Sequence, residues 1–142
     1  MRTAKILGAV VSAFVATSAL AAPQPLCNDE WSIKPGASQA QLFTLNTEAD
    51  VLVHIRRVKH ADKGFTVHVV PGKLYEEWKA GHATKKALND ASSEKATSYR
   101  HTTKLAPGRW AIVVVNSENM LERMIVHARI VVNPDPDERA ER

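Results

Sequence analysis

The sequence predicts an all-β fold: an antiparallel β-sandwich, jelly-roll-like, of about seven to eight strands with one short helix near residues 74–80. Three observations carry that expectation. Apolar residues recur with a period of two far more often than with a helical period. Pro-Gly and Asn-rich punctuation cuts these stretches into short pieces. Only one segment has helical spacing, and it is barely longer than a turn.

The chain opens on a leader rather than on the domain. Arg2 and Lys5 precede an apolar run from Ile6 to Thr17, and Ala19-Leu20-Ala21 follows as an A-x-A cleavage pattern. Residues 1–21 read as a signal peptide cleaved between Ala21 and Ala22. The apolar run is too short for a permanent span, which needs about 20 residues. The expected product is periplasmic or secreted and has no membrane anchor after cleavage. Cleavage removes two bases, leaving 17 basic and 15 acidic residues, a net of +2. The bases are scattered among acids, so no nucleic-acid footprint is expected.

Residues 22–36 read as an N-terminal arm, with Pro23 and Pro25 in its first part. It holds Cys27, the single cysteine, so no internal disulfide can form and the fold must rest on its apolar core. Gln24-Pro25-Leu26 before that cysteine is unlike a lipid-attachment site. Cys27 is expected to be an incidental thiol, with an intermolecular disulfide as the alternative.

The sandwich proper spans residues 37–133. Gln39–Leu45 is a first strand. In Ala49–Val58, Val51, Val53 and Ile55 point one way and Leu52, His54 and Arg56 the other. In Phe65–Val70, Phe65, Val67 and Val69 alternate with Thr66, His68 and Val70, and the polar link 59–64, ending in Gly64, reads as a hairpin loop. Pro71-Gly72 breaks the strand, and Leu74–Lys79 is the helix, docking through Leu74, Tyr75 and Trp78. Residues 82–95 read as a polar surface loop, followed by a strand over Ala96–Leu105. After the Pro107-Gly108 turn, Ala111–Val115 is apolar on both parities, which fits a central strand covered on both faces or an association surface. Met124–Val132 is the last strand, and the Pro-broken, charged tail 134–142 is expected to be disordered.

The segment Leu105-Ala106-Pro107-Gly108-Arg109-Trp110-Ala111-Ile112-Val113-Val114-Val115-Asn116 resembles a recurring "L-x-P-G-x-aromatic-x-apolar-x-V-x-N" theme. That theme belongs to bacterial pre-peptidase C-terminal domains and to the GOLD-type jelly-roll sandwich. Phe65–Gly81, a strand running into a short aromatic helix and a glycine, is also similar. The resemblance covers roughly residues 37–132 and implies a non-catalytic accessory domain of an exported protein, used in binding or in assisting secretion. The chain departs from the family's usual context in carrying no catalytic domain, and it lacks the acidic loop run of a calcium site.

Catalytic signatures are missing from the sequence. It has no Gly-x-Ser-x-Gly elbow, His-Glu-x-x-His, Cys-x-x-Cys or phosphate-cradling glycine loop. Glu76 and Glu77 are adjacent on a helix and so diverge. No catalytic residue and no cofactor are expected. The leading expectation is therefore a non-catalytic binding or accessory module, with another protein or an extracytoplasmic polymer as partner. One alternative is a zinc or copper protein using His54, His68 and His127, which share the polar parity of their strands. The other is a small exported hydrolase or a carbohydrate-binding domain, for which Trp31 is the expected exposed aromatic and the loop 82–95 the only cleft-forming insertion.

Overall fold

The structure is a computed structural model that describes residues 10–16 and 22–140. Its strands are β1 (Val10–Ala16), β2 (Gln24–Ile33), β3 (Ser38–Leu45), β4 (Ala49–Lys59) and β5 (Phe65–Pro71), then β6 (Glu94–Ala96), β7 (Tyr99–Leu105), β8 (Gly108–Val115) and β9 (Met124–Val132). Helices α1 (Gly72–Lys79) and α2 (Lys85–Ala91) lie between β5 and β6, and α3 (Pro136–Ala140) follows β9. The front sheet has the order β2-β9-β4-β7 and is antiparallel throughout. The back sheet runs β3-β8-β5-β6, also antiparallel, and β1 is added in parallel at the β3 edge. This is the all-β sandwich that the alternation implies.

Side-chain parity sorts the apolar residues into two cores. Between the sheets lie Val51, Val53 and Ile55 of β4, Phe65 and Val67 of β5, Ile112 and Val114 of β8, and the even-numbered residues of β9. The opposite parity of the back sheet, Ala40, Leu42, Val70, Ala111, Val113 and Val115, forms a second cluster with Tyr75 of α1 and Leu88 of α2. Strand β8 is thus covered on both faces, which settles the choice left open for Val113 and Val115. The turn before it uses Gly108 at φ 136°, a conformation that a side chain disfavours.

Several segments differ from the sequence expectation. The stretch expected as an arm is strand β2: Cys27, Trp31 and Ile33 are buried in the main core, and the Cys27 thiol faces the Ala128 carbonyl at 3.6 Å. A register shift between Pro25 and Cys27 interrupts the alternation, and an edge strand tolerates the proline. Trp31, expected at the surface, is 1% exposed. The link 59–64 is not a hairpin, because β4 and β5 belong to different sheets; it crosses the sandwich.

The loop 82–95 contains α2 and the start of β6. Thr84 Oγ1 accepts from the Ala87 amide at 3.0 Å as an N-cap, and Lys86 and Asp90 pair at 2.9 Å one turn apart. A single buried leucine, Leu88, docks this helix, and one residue makes no periodicity.

The described part of the tail forms α3. Asp137 and Glu138 lie in its first turn; the Glu138 carboxylate pairs with Arg129, and its carbonyl accepts from Arg100 Nη2 at 3.0 Å. Charge rather than apolar burial docks this segment, so hydropathy gives no sign of it. Of the segment expected as a leader, Val10–Ala16 forms β1, while Arg2, Lys5 and Ala21 lie outside the described residues and Ala22 is exposed.

Leu88→Ala should cost about 2–5 kcal/mol in urea-unfolding stability, because it removes the one side chain that seats α2. The same variant should speed hydrogen exchange in 85–91 selectively.

Candidate functional site

The outward parity of β5 puts Thr66 and His68 beneath α2, on the back sheet. His68 is 1% exposed, and its Nδ1 lies 2.5 Å from the Ser92 carbonyl. A carbonyl only accepts, so Nδ1 carries the proton and, in the neutral ring, Nε2 keeps a lone pair. Burial pushes the imidazole pKa down, the bond to Ser92 opposes this, and the nearby Lys85 ammonium adds to the lowering. His68 lines a cleft of about 260 Å³ with Thr66, Lys85, Asn89, Ser117 and Glu118.

A short relay forms the other wall. Ser117 Oγ donates to Glu118 Oε2 at 3.1 Å, so the 2.8 Å contact between Thr66 and Ser117 has Thr66 as donor. Lys95 Nζ sits 3.3 Å from the same Glu118 oxygen. The Ser117 hydroxyl and then Lys95 hold the Glu118 carboxyl below its usual range. This geometry does not activate a nucleophile. The Ser117 proton is given to a carboxylate, the His68 Nδ1 proton to a carbonyl, and among the described residues no hydrogen bond joins the two side chains. What the cleft offers is a polar pocket flanked by two lysines and one carboxylate.

The second polar surface is the outer face of the front sheet. Pairing across β2, β9, β4 and β7 sets Asn28, Arg129, His54 and Arg100 in one row. Arg100 Nη1 lies 2.9 Å from His54 Nδ1, and since guanidinium only donates, His54 Nδ1 is an unprotonated acceptor. Burial first, then the charges of Arg100, Arg56 and Arg129, push the His54 pKa down. His127 Nε2 donates to Asn28 Oδ1 at 2.6 Å. His54 and His127 therefore share this face, while His68 is on the other sheet. The sandwich lies between them, so the three imidazoles do not meet. Among the described residues no group of three or more metal-ligating side chains is assembled.

No family model matches the sequence, and no curated protein matches it. Solved structures do. The crystal structure of the pre-peptidase C-terminal domain of collagenase from Bacillus anthracis superposes with a TM-score of 0.54 at 9% identity. The match covers 86% of this chain and 93% of that one.

The chain has the fold of a pre-peptidase C-terminal domain. That is the architecture which the Pro107-Gly108-Arg109-Trp110 segment suggested. Trp110 sits at the margin of the core, half-buried, with its Nε1 donating to the Ala106 carbonyl at 2.9 Å. Among the described residues no helix is long and apolar enough to cross a membrane.

Sequence reasoning named the loop 82–95 as the cleft-forming insertion, and Lys85 and Asn89 of it do line the cleft, but it missed Ser117 and Glu118, which read as a plain turn. The available signal was His68, a histidine within a strongly apolar strand. His60 and His101 also have partners that the sequence does not reveal: Glu122 at 3.0 Å and Glu94 at 3.4 Å.

The lowered His68 and His54 pKa values set a pH dependence. Between the unfolded value near 6.5 and the folded values the unfolded chain binds more protons, so stability is full above that pH and falls as pH drops below it. The melting temperature should fall between pH 7 and pH 5. His68→Asn, which keeps a donor for Ser92, should flatten that slope; an unchanged slope would show that His68 does not contribute.

Proposed function

We propose that this chain is exported, loses residues 1–21 at the Ala21–Ala22 bond, and acts in the periplasm or outside the cell as a non-catalytic binding or accessory module for another protein. The observation that carries the reading is the fold, shared along most of the chain with the pre-peptidase C-terminal domain of a collagenase. The leader pattern of the first 21 residues supports export, and the proton arrangement around Ser117 and His68 argues against acyl transfer in the cleft beneath α2.

The loop between β8 and β9 supplies a surface for the partner. Leu121 is 86% exposed and Met120 64%, although both are large and apolar. The loop is held rigidly. Asn119 Oδ1 accepts from the Leu121 and Glu122 amides at 3.1 Å, its Nδ2 donates to the His60 carbonyl at 3.0 Å, and Asn116 Nδ2 donates to the Ile33 and Glu122 carbonyls. A pre-ordered apolar tip loses little entropy on docking, as a binding hot spot requires.

Leu121→Asp should leave the melting temperature within about 3 °C, since surface changes away from packing cost under about 0.5 kcal/mol. It should abolish partner capture in cross-linking pull-downs from the extracytoplasmic fraction. Equal capture by both chains would move the binding surface off this loop, and a chain found only in the cytoplasm would sink the export reading.

A further inference from the structure

The four sheet edges are not built alike. An exposed edge strand invites pairing with other chains, and proteins blunt it with charges, proline, bulges or shortness. On the front sheet, β2 carries Pro25, Asp29, Glu30 and a register shift, and β7 carries Arg100, His101 and Lys104. On the back sheet, β6 is three residues long and includes Glu94 and Lys95. Strand β3, Ser-Gln-Ala-Gln-Leu-Phe-Thr-Leu, has none of these devices: it holds no charge and no proline, and it pairs with β8 without interruption from Ser38 to Leu45. It is the edge made to be covered.

In the full chain its cover is the leader. Val10 and Val11 pair with Gln41 and Leu42, and Val15 and Ala16 with Thr44 and Leu45, in parallel. Signal cleavage removes that cover while leaving the two cores, whose members run from Leu26 to Val132, intact. We infer that removal of the leader opens the β3 edge and that a second copy of this chain takes its place, joining two back sheets through antiparallel β3–β3 pairing. This rests on the export reading above.

The occupant is a second copy because the edge is neutral and self-complementary. Residues opposite each other in an antiparallel pair share a face, so a two-fold axis normal to the sheet must pass through a residue. Placed at Ala40, it sets Gln39 opposite Gln41 of the partner subunit, twice. Gln39 is 1% exposed, and its Nε2 finds no hydrogen-bond partner within the described chain. A glutamine amide carries both donor and acceptor, so Gln41 of the partner subunit completes it. On the other face Ser38 meets Leu42 of the partner subunit. A single strand-to-strand contact is small, which implies a dimer in the micromolar range rather than an obligate one.

The test compares the exported, processed chain with the full chain made without export, after the N-terminus of each is read by intact mass. Sedimentation should show a reversible dimer for the processed chain and a monomer for the chain that keeps its leader. Amides of 38–42 should gain exchange protection with concentration in the processed chain alone. Ser38→Lys should weaken association by about tenfold or more with an unchanged melting temperature. Ala40→Cys should cross-link to itself on mild oxidation, since directly opposed residues lie within disulfide range. A processed chain that stays monomeric, a dimer indifferent to Ser38→Lys, or an Ala40→Cys chain that fails to cross-link overturns the inference while leaving export standing. An exported chain that still carries residues 1–21 overturns the export reading and this inference together.

Discussion

The double burial of β8 organises this molecule. Ile112 and Val114 face the other sheet, and Ala111, Val113 and Val115 face the helices, so the strand has no wet side from Ala111 to Val115. A fully buried aliphatic side chain contributes about 1.5–3 kcal/mol, which makes this one segment a large share of the apolar driving force. Its neighbours β3 and β5 lie under the same covers, so Ala40, Leu42 and Val70 are buried away from the main core, and Gln39, Gln41 and His68 are buried although polar.

The helical cover has a chemical consequence. Tyr75 and Leu88 seal the apolar part of the back sheet, but the cover gives way to polar groups at the end of β5, where Thr66 and His68 continue the same outward parity. The cleft lies at that boundary. It owes its polarity to loop residues brought over the sheet, and its buried histidine to the alternation of β5. The front sheet differs: its outer face is covered in part by charge, with α3 laid over Arg100 and Arg129 through Glu138. An apolar cap on one sheet and an ionic cap on the other let a sandwich of modest size shield both outer faces.

Sheet edges obey the same economy. Three carry charges or a proline, and the fourth, β3, is neutral and lies beside the apolar strand β1. Buried Asn116 ties the end of β8 to Ile33 of the opposite sheet and orders the loop that presents Leu121. The features that bear on function are therefore concentrated at margins, where one cover stops and another begins.

By itself the sequence determined the fold class, most strands, a short helix near 74–80 and the apolar character of Ala111–Val115 on both parities, because a two-residue period and Pro-Gly punctuation are local properties of the chain; that helices cover the second face of this strand was decided by the packing. The inward set of β4 was legible to the residue for the same reason. It did not reveal β2, where a proline and a register shift hide the alternation, nor α2 and α3, which dock through one leucine and one carboxylate. Strand parity placed His54, His68 and His127 on polar faces but gave no account of which sheet each face belongs to. Tertiary structure decided that the 59–64 link crosses the sandwich rather than turning back, and so put His68 opposite the other two. Periodicity fixes which way a side chain points; only the packing of the sheets fixes what it points at.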